Sequence, residues 1–171
     1  KKFILQGKEI EDINFEGTQL EKQVINKGTN TLVVREFMEE SIKDASPRIV
    51  HLMASKLRLN SDTKLLDLGS GYGGAARYLT KKYGCQVTCL NLSETQNERN
   101  ESLNKKNRLD HLITVMEGNF EDIPFSDNSF DVVWSQDAIV HSGNREQVLS
   151  EVDRVLMETG DFIFTDLMQT Y

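Results

Sequence analysis

The chain has 171 residues, of which 38% are hydrophobic and 27% are charged, a composition typical of one globular domain with a hydrophobic core. A formal net charge of −7 argues against bulk electrostatic attraction to nucleic acid or anionic membranes, and no apolar run approaches the roughly 20 residues of a membrane-spanning helix. Cys85 and Cys89 lack a CxxC pattern, so we expect two buried thiols in a reducing, cytoplasmic compartment.

The chain is predicted to have two parts, and their boundary lies before residue 60. Residues 1–30 are expected to form an N-terminal hairpin and lid segment, with the hairpin within residues 1–14. Residues 31–171 are expected to form one domain that opens with helices near 31–43 and 47–58. The second helix is placed there because proline, here Pro47, is favoured at the first helical position.

From residue 60 onward, short apolar runs alternate with segments of helical periodicity. Continuous apolar runs indicate strands buried on both faces of a parallel sheet. We therefore expect an α/β fold, a Rossmann-like, doubly wound, mostly parallel sheet. The predicted strands are 64–68, 86–92, 111–116, 130–135 and 161–165, and the predicted helices are 74–83, 93–107 and 144–157.

A glycine-rich loop joins the first of these strands to its helix, in the segment LLDLGSGYGG that begins at Leu65. Such a loop lies at the carboxyl end of the sheet, where open parallel sheets bind ligands. Asp67, just before the glycines, would repel a pyrophosphate but suits a ligand with an ammonium group, such as S-adenosylmethionine. Asn91 ends the next predicted strand, where an acidic residue usually binds ribose hydroxyls; its amide can accept one hydrogen bond and donate another.

Four segments occur in the order DLGSGYGGAARYL, NLSETQ, GNFEDIPFSDNSFDVVWS and DFIFTD. In this order they resemble the class I S-adenosylmethionine-dependent methyltransferases. The resemblance implies S-adenosyl-L-methionine as cofactor, S-adenosyl-L-homocysteine as product and no metal. It also implies a cofactor site with Asp67, Gly69, Ser70 and Gly71 at the methionine end, Asn91, Leu92 and Gln96 at the ribose and adenine, Asn119 and Phe120 beside the adenine, and Gln136 closing the site.

The segment WSQDAIVHS, from Trp134 to Ser142, follows the fourth predicted strand and faces the same crevice. Asp137 and His141 are four residues apart, so they would share one face if the segment were helical. An acid and an imidazole suit an amine acceptor, which must lose its proton before it can accept a methyl group. We therefore take Asp137 and His141 as the candidate catalytic residues.

The same segment resembles the sarcosine/dimethylglycine N-methyltransferases of betaine synthesis. It is also similar to the phosphoethanolamine N-methyltransferases, whose corresponding Asp and His contact the substrate. The latter pair their His with an N-terminal Tyr, whereas the first tyrosine here is Tyr72, inside the glycine loop. The resemblance therefore favours a small carboxylated amine, with phosphoethanolamine as the alternative.

Two departures from the family pattern leave alternative functions open. Met157 to Gly160 keep only the final glycine of the usual loop, and the family normally continues past the strand at 161–165 with a helix and two antiparallel strands. We expect that strand to be an exposed edge, for which three accounts are open: the chain is a fragment, a partner or second copy covers the edge, or the N-terminal hairpin covers it. The chain alone should then bind cofactor but be slow or inactive in turnover. A cofactor-binding module without turnover is the alternative; an NAD-dependent oxidoreductase is disfavoured by Asp67 and Asn91.

Overall fold

A computed structural model of the protein describes residues 3–5, 8–10 and 47–166. The chain divides into two units, Lys1–Asp44 and Ala45–Tyr171. In the first unit, strands β1 (Phe3–Leu5) and β2 (Lys8–Ile10) pair antiparallel, with Phe3 opposite Ile10. The predicted hairpin is therefore confirmed. The boundary at residue 30, the predicted helix near 31–43 and the lid lie outside the described residues.

The second unit is built on a five-stranded sheet in which every pairing is parallel. Its order is β5-β4-β3-β6-β7, so the direction of winding reverses between β3 and β6. In doubly wound sheets, that reversal opens a crevice at the carboxyl ends of the strands. The predicted fold class is confirmed. The strands are β3 (Lys64–Leu68), β4 (Gln86–Asn91), β5 (Ile113–Glu117), β6 (Phe130–Gln136) and β7 (Leu156–Thr165).

Helices cover both faces of the sheet. They are α1 (47–54), α2 (Gly74–Tyr83), α3 (Glu94–Lys106) and α4 (Arg145–Val155), with a short 3₁₀ helix over Ile139–His141. The prediction that α1 continues to residue 58 is wrong. The Leu57 amide bonds to the Ala54 carbonyl three residues back, which tightens and ends the last turn, and the Leu57 side chain packs on the core from a loop.

Alternate residues of β3 point into two separate cores. Leu65 packs with Leu79 of α2 on one face, whereas Leu66 packs with Val148 of α4 on the other. Asp67 follows the two-residue alternation of a strand and therefore points to the α2 face. There a charged residue, 2% exposed, occupies a position that packing would otherwise give to a hydrophobic side chain.

The last helix and the last strand have other boundaries than those predicted. The helix predicted to reach Met157 ends at Val155, and Leu156 already pairs with Phe130 in the sheet. Val132 pairs next with Asp161, so residues 157–160, predicted as a loop, form an irregularity within β7. Among the described residues β7 pairs with β6 alone, and Phe164 is half exposed, which confirms the predicted edge strand.

The described residues contain no helix with the length and apolar character needed to traverse a lipid bilayer.

Candidate active site

The glycine loop after β3 is held by two close approaches that only glycine permits. Gly69 and Gly73 both have φ 69°, a left-handed conformation that other residues adopt at a cost. A Cβ on Gly69 would overlap the Cβ of Ala138, and one on Gly73 would overlap the Asn100 amide. The Gly69 amide also donates to the Leu90 carbonyl at 2.8 Å. The loop is thereby fixed against β4, α3 and the segment after β6.

Asp67 lies beneath this loop with its carboxyl group in the core. Its sheet neighbours in register are Cys89 and Trp134, and within the described residues its Oδ2 has no hydrogen-bond partner. Burial raises the pKa of this carboxyl to about 7, because a charge away from water lacks solvation. The buried Ser70 Oγ and Trp134 Nε1 likewise lack partners there. Three unsatisfied polar atoms beside a glycine loop indicate a place for a polar ligand.

Arg77 of α2 supports the loop from the side, a contact that the sequence did not reveal. Its guanidinium donates to the Tyr72 carbonyl at 2.6 Å and to Asn100 and Asn104 Oδ1 at 2.9 and 3.1 Å. Within the polar run of α3 the charged side chains are exposed, whereas Asn97, Asn100 and Asn104 are buried. Their spacing of three and four residues within that run was the available signal.

Asn91 and Gln96, predicted together at the ribose, are in contact. Asn91 Nδ2 donates to Gln96 Oε1 at 3.1 Å and to Asn97 Oδ1 at 3.2 Å. The Asn91 amide nitrogen is therefore already engaged, and its oxygen is left to accept a ligand hydroxyl. Leu92 is 61% exposed and offers an apolar surface beside them. Ser93 caps α3, accepting from the Gln96 amide.

Phe120 and Asn119, predicted beside the adenine, have different surroundings. The Phe120 ring comes within 3.8 Å of where a Cβ on Gly69 would lie, so it borders the glycine loop. Asn119 is exposed, and its side chain accepts from the Glu121 amide in its own loop at 2.9 Å. Arg154 of α4 holds that loop through the carbonyls of Ile123 and Phe125 at 2.8 and 2.7 Å. Gln136, the last residue of β6, is half-buried.

Asp137 and His141 lie in the segment after β6 but do not share a helix face. Asp137 has φ 53°, and the short helix begins only at Ile139. The cause lies in β7. The Asp137 amide donates a hydrogen bond to the Thr165 carbonyl at 2.8 Å, and Asp137 Oδ1 accepts one from Thr165 Oγ1 at 3.2 Å. These bonds hold Asp137 out of a helix. His141 is exposed, and no hydrogen bond joins these two described side chains.

The fold, the crevice and the glycine loop together define a known class of protein. The sequence profile of the methyltransferase domain family matches residues 66–164, from β3 into β7. The match spans more than half of the chain, and the chain belongs to this family. The predicted methyltransferase resemblance is therefore confirmed.

Individual relatives show which methyltransferases the chain is similar to. The chain is 55% identical over 130 residues to a glycine/sarcosine/dimethylglycine N-methyltransferase of Actinopolyspora halophila, covering 76% of this chain and 23% of that protein. It is 56% identical over 132 residues to a sarcosine/dimethylglycine N-methyltransferase of Halorhodospira halochloris, covering 77% and 47%. A solved structure of a proposed sarcosine dimethylglycine methyltransferase from Galdieria sulphuraria superposes with TM-score 0.71 and 46% identity, covering 73% and 47%. The chain thus spans half or less of these relatives' lengths.

Proposed function

We propose that the chain is the cofactor-binding part of an S-adenosylmethionine-dependent N-methyltransferase that acts on a small carboxylated amine such as sarcosine or dimethylglycine. The observation that carries the proposal is the buried Asp67 carboxyl, whose Oδ2 has no hydrogen-bond partner among the described residues, under a glycine loop at the reversal point of the sheet. A carboxylate in that position requires a cationic partner to ionise at low cost. The ammonium of S-adenosylmethionine is such a partner.

The residues around Asp67 fit the remaining parts of this cofactor. The Asn91 oxygen can accept from a ribose hydroxyl, since its amide nitrogen is occupied by Gln96 and Asn97. Leu92 and Phe120 offer apolar surfaces suited to a purine. Ser70 Oγ, without a partner among the described residues, can donate to the carboxylate of the amino-acid end. When bound, the cofactor supplies a sulfonium-activated methyl group for a single displacement that leaves S-adenosylhomocysteine.

Asp137 and His141 are proposed to prepare the acceptor. Thr165 bonds to Oδ1 of Asp137, which leaves Oδ2 of this exposed side chain to attract an ammonium group. The acceptor nitrogen needs a free lone pair, and the exposed imidazole of His141 can take its proton. The protein's contribution to the rate is then positioning and electrostatics rather than covalent chemistry.

The relatives support the amine class. Three proteins that are 53 to 56% identical over about three quarters of this chain carry names that specify sarcosine and dimethylglycine. Sterol 24-C-methyltransferases are less similar, at 37% identity for that of Candida albicans. The higher overall identity to these proteins favours the small amine over a sterol.

The side of β7 on which no described strand pairs and the two cysteines bear on the partners and the location of the enzyme. We propose that further chain or a partner subunit covers the edge of β7, where Phe164 is half exposed and stacks on Phe162 at 4.9 Å. Cys85 and Cys89 are buried free thiols, which fits a cytoplasmic location.

Two measurements test the proposed function. Calorimetric titration should show binding of S-adenosylhomocysteine and none of NADH. Mass spectrometry after incubation with S-adenosylmethionine and a mixture of glycine, sarcosine, dimethylglycine, phosphoethanolamine and a sterol should show methylated sarcosine and dimethylglycine. Cofactor binding without any methylated product would instead favour a binding module. Methylation of phosphoethanolamine alone would replace the proposed substrate class.

A further inference from the structure

One carboxylate oxygen joins two loops that flank the crevice. Oε1 of Glu121, in the loop after β5, accepts from Ser142 Oγ at 2.5 Å and from the amides of Gly143 and Asn144 at 3.1 and 3.2 Å. These hydrogen bonds, the Ser142 bond first, hold the pKa of Glu121 below its ordinary value. Ser142 Oγ also accepts from the Asn144 amide at 2.9 Å. We refer to Glu121 with Ser142, Gly143 and Asn144 as the loop latch.

Each side of the loop latch adjoins a residue of the proposed site. Phe120, which borders the glycine loop, directly precedes Glu121, and His141 directly precedes Ser142. The latch therefore links the residue proposed beside the purine to the residue proposed to take the acceptor proton.

The loop on the Glu121 side is firmly anchored to α4. Glu151 accepts from the Ile123 amide at 2.8 Å, and Arg154 holds the Ile123 and Phe125 carbonyls. The segment with His141 has mainly local bonds, such as those from the His141 amide to Ala138 and from the Ser142 amide to Ile139. Among the described hydrogen bonds, those of Glu121 join the end of this segment next to His141 to the anchored loop.

We propose that Glu121 is a positioning residue for methyl transfer, which fixes His141 relative to Phe120 and conveys cofactor binding from one to the other. This inference rests on the proposed function, because it assigns His141 and Phe120 their roles in that reaction. Glu121 itself is not proposed to touch substrate or cofactor.

Different substitutions of Glu121 should weaken the loop latch to different degrees. All three bonds end on Oε1, so Glu121→Gln keeps a carbonyl oxygen in the same place, whereas Glu121→Ala removes the acceptor. Bonds to a carboxylate are stronger than bonds to a neutral amide, so the Gln variant should be intermediate. Glu158 is exposed and accepts no hydrogen bond from these loops, which makes Glu158→Ala the matched control.

The first test follows the imidazole of His141 by NMR, without turnover. The chain has three histidines, and His141→Gln identifies the resonance of His141. Saturating S-adenosylhomocysteine should shift this resonance in the wild type and in E158A. We expect a shift at least about fivefold smaller in E121A and within about twofold of wild type in E121Q, because the amide oxygen still accepts. A wild-type shift in E121A, or a loss in E121Q as large as in E121A, would overturn the proposal.

The second test separates positioning from cofactor binding. In E121A, kcat for dimethylglycine should fall about tenfold or more, since misplacement of a reacting group is costly, while the Kd for S-adenosylhomocysteine changes by less than about threefold. Equal losses in kcat and cofactor affinity would contradict a positioning role.

A second variant covers the case in which E121A fails to fold. Ser142→Ala removes one donor and should give a partial loss of the NMR shift of His141. An unchanged shift in this variant would overturn the proposal. A wild type that methylates no amine refutes the proposed function, but the NMR test of the latch still stands.

Discussion

The glycine loop and the segment of residues 137–144 face the same crevice, but they are held in different ways. The glycine loop is fixed by packing: Gly69 and Gly73 approach other parts of the chain too closely for any Cβ, and Asp67 is buried beneath it. In the segment 137–144, Ala138 and Ile139 pack into the core, but Asp137 and His141 are exposed, and hydrogen bonds to Thr165 and Glu121 hold the segment at its two ends.

This difference separates the two halves of the proposed reaction. A cofactor site that is part of the core cannot change without a loss of stability, because packed interiors adapt poorly. Exposed side chains on a hydrogen-bonded loop can change at small cost to the fold. Substitutions in the glycine loop should therefore impair folding and cofactor binding, and substitutions of the exposed Asp137 and His141 should impair turnover alone.

The largest effect is expected from Gly69→Ala. The new Cβ would overlap Ala138, and φ 69° is unfavourable for alanine, so we expect a loss of about 3 kcal/mol or more in the free energy of unfolding. Urea denaturation measures the loss, and calorimetry should show no binding of S-adenosylhomocysteine. Gly74→Ala is the control, because nothing lies within 4 Å of its Cβ. Equal stability of the two variants would remove the distinction between the loops.

His141→Gln should lower turnover without changing cofactor affinity. Removal of a general base typically costs about a hundredfold in rate, and an exposed side chain contributes little to the core. Single-turnover mass spectrometry of methylated dimethylglycine measures the rate, with calorimetry for the cofactor. The exposed His111 provides the control His111→Gln, which should behave as wild type. Unchanged turnover in H141Q would reject His141 as the proton acceptor.

Thr165→Val should have a smaller effect on turnover. It removes the hydroxyl that donates to Asp137 Oδ1 but keeps the backbone bond, so the loss should be about fivefold, the equivalent of one hydrogen bond of about 1 kcal/mol. Thr165→Ser retains the hydroxyl and should restore the rate. If the Ser variant were as slow as the Val variant, Asp137 would not depend on this bond.

The packed half of the site was more predictable from sequence than the hydrogen-bonded half. The apolar run into Asp67 and the glycines predicted β3 and its loop, and Asp67 favoured a ligand with an ammonium group. Asn91 and Gln96 were placed together by the resemblance to the class I methyltransferases.

The remaining features depend on contacts between distant residues. The left-handed Asp137 is held by Thr165, which lies a full helix and strand later in the chain, so the local spacing of Asp137 and His141 could not show that the helix begins only after Asp137. Glu121 contacts Ser142 across the crevice, and a polar residue in a loop carries no local sign of such a partner. Two asparagines of α3 are buried against Arg77 and Gly73 of another element, although asparagine is usually exposed.

The central claim is that the buried Asp67 carboxylate binds the ammonium of the cofactor. The pKa of Asp67 is about 7 in the free protein, and an ammonium partner favours the ionised form, so binding below that pH must first remove a proton from Asp67. Affinity should therefore weaken as the pH falls, by about tenfold for each pH unit below about 7.

The most direct measurement is the Kd for S-adenosylhomocysteine at pH 6 and pH 8, in wild type and in Asp67→Asn. We predict that the wild type binds about tenfold more tightly at pH 8 than at pH 6, because Asp67 is ionised at the higher pH. The Asn variant should bind about 10- to 100-fold more weakly than wild type at pH 8, the cost of losing one charged hydrogen bond, with equal affinity at both pH values. A wild type whose affinity is the same at both pH values, or an Asn variant that binds as tightly as wild type at pH 8, would contradict the account.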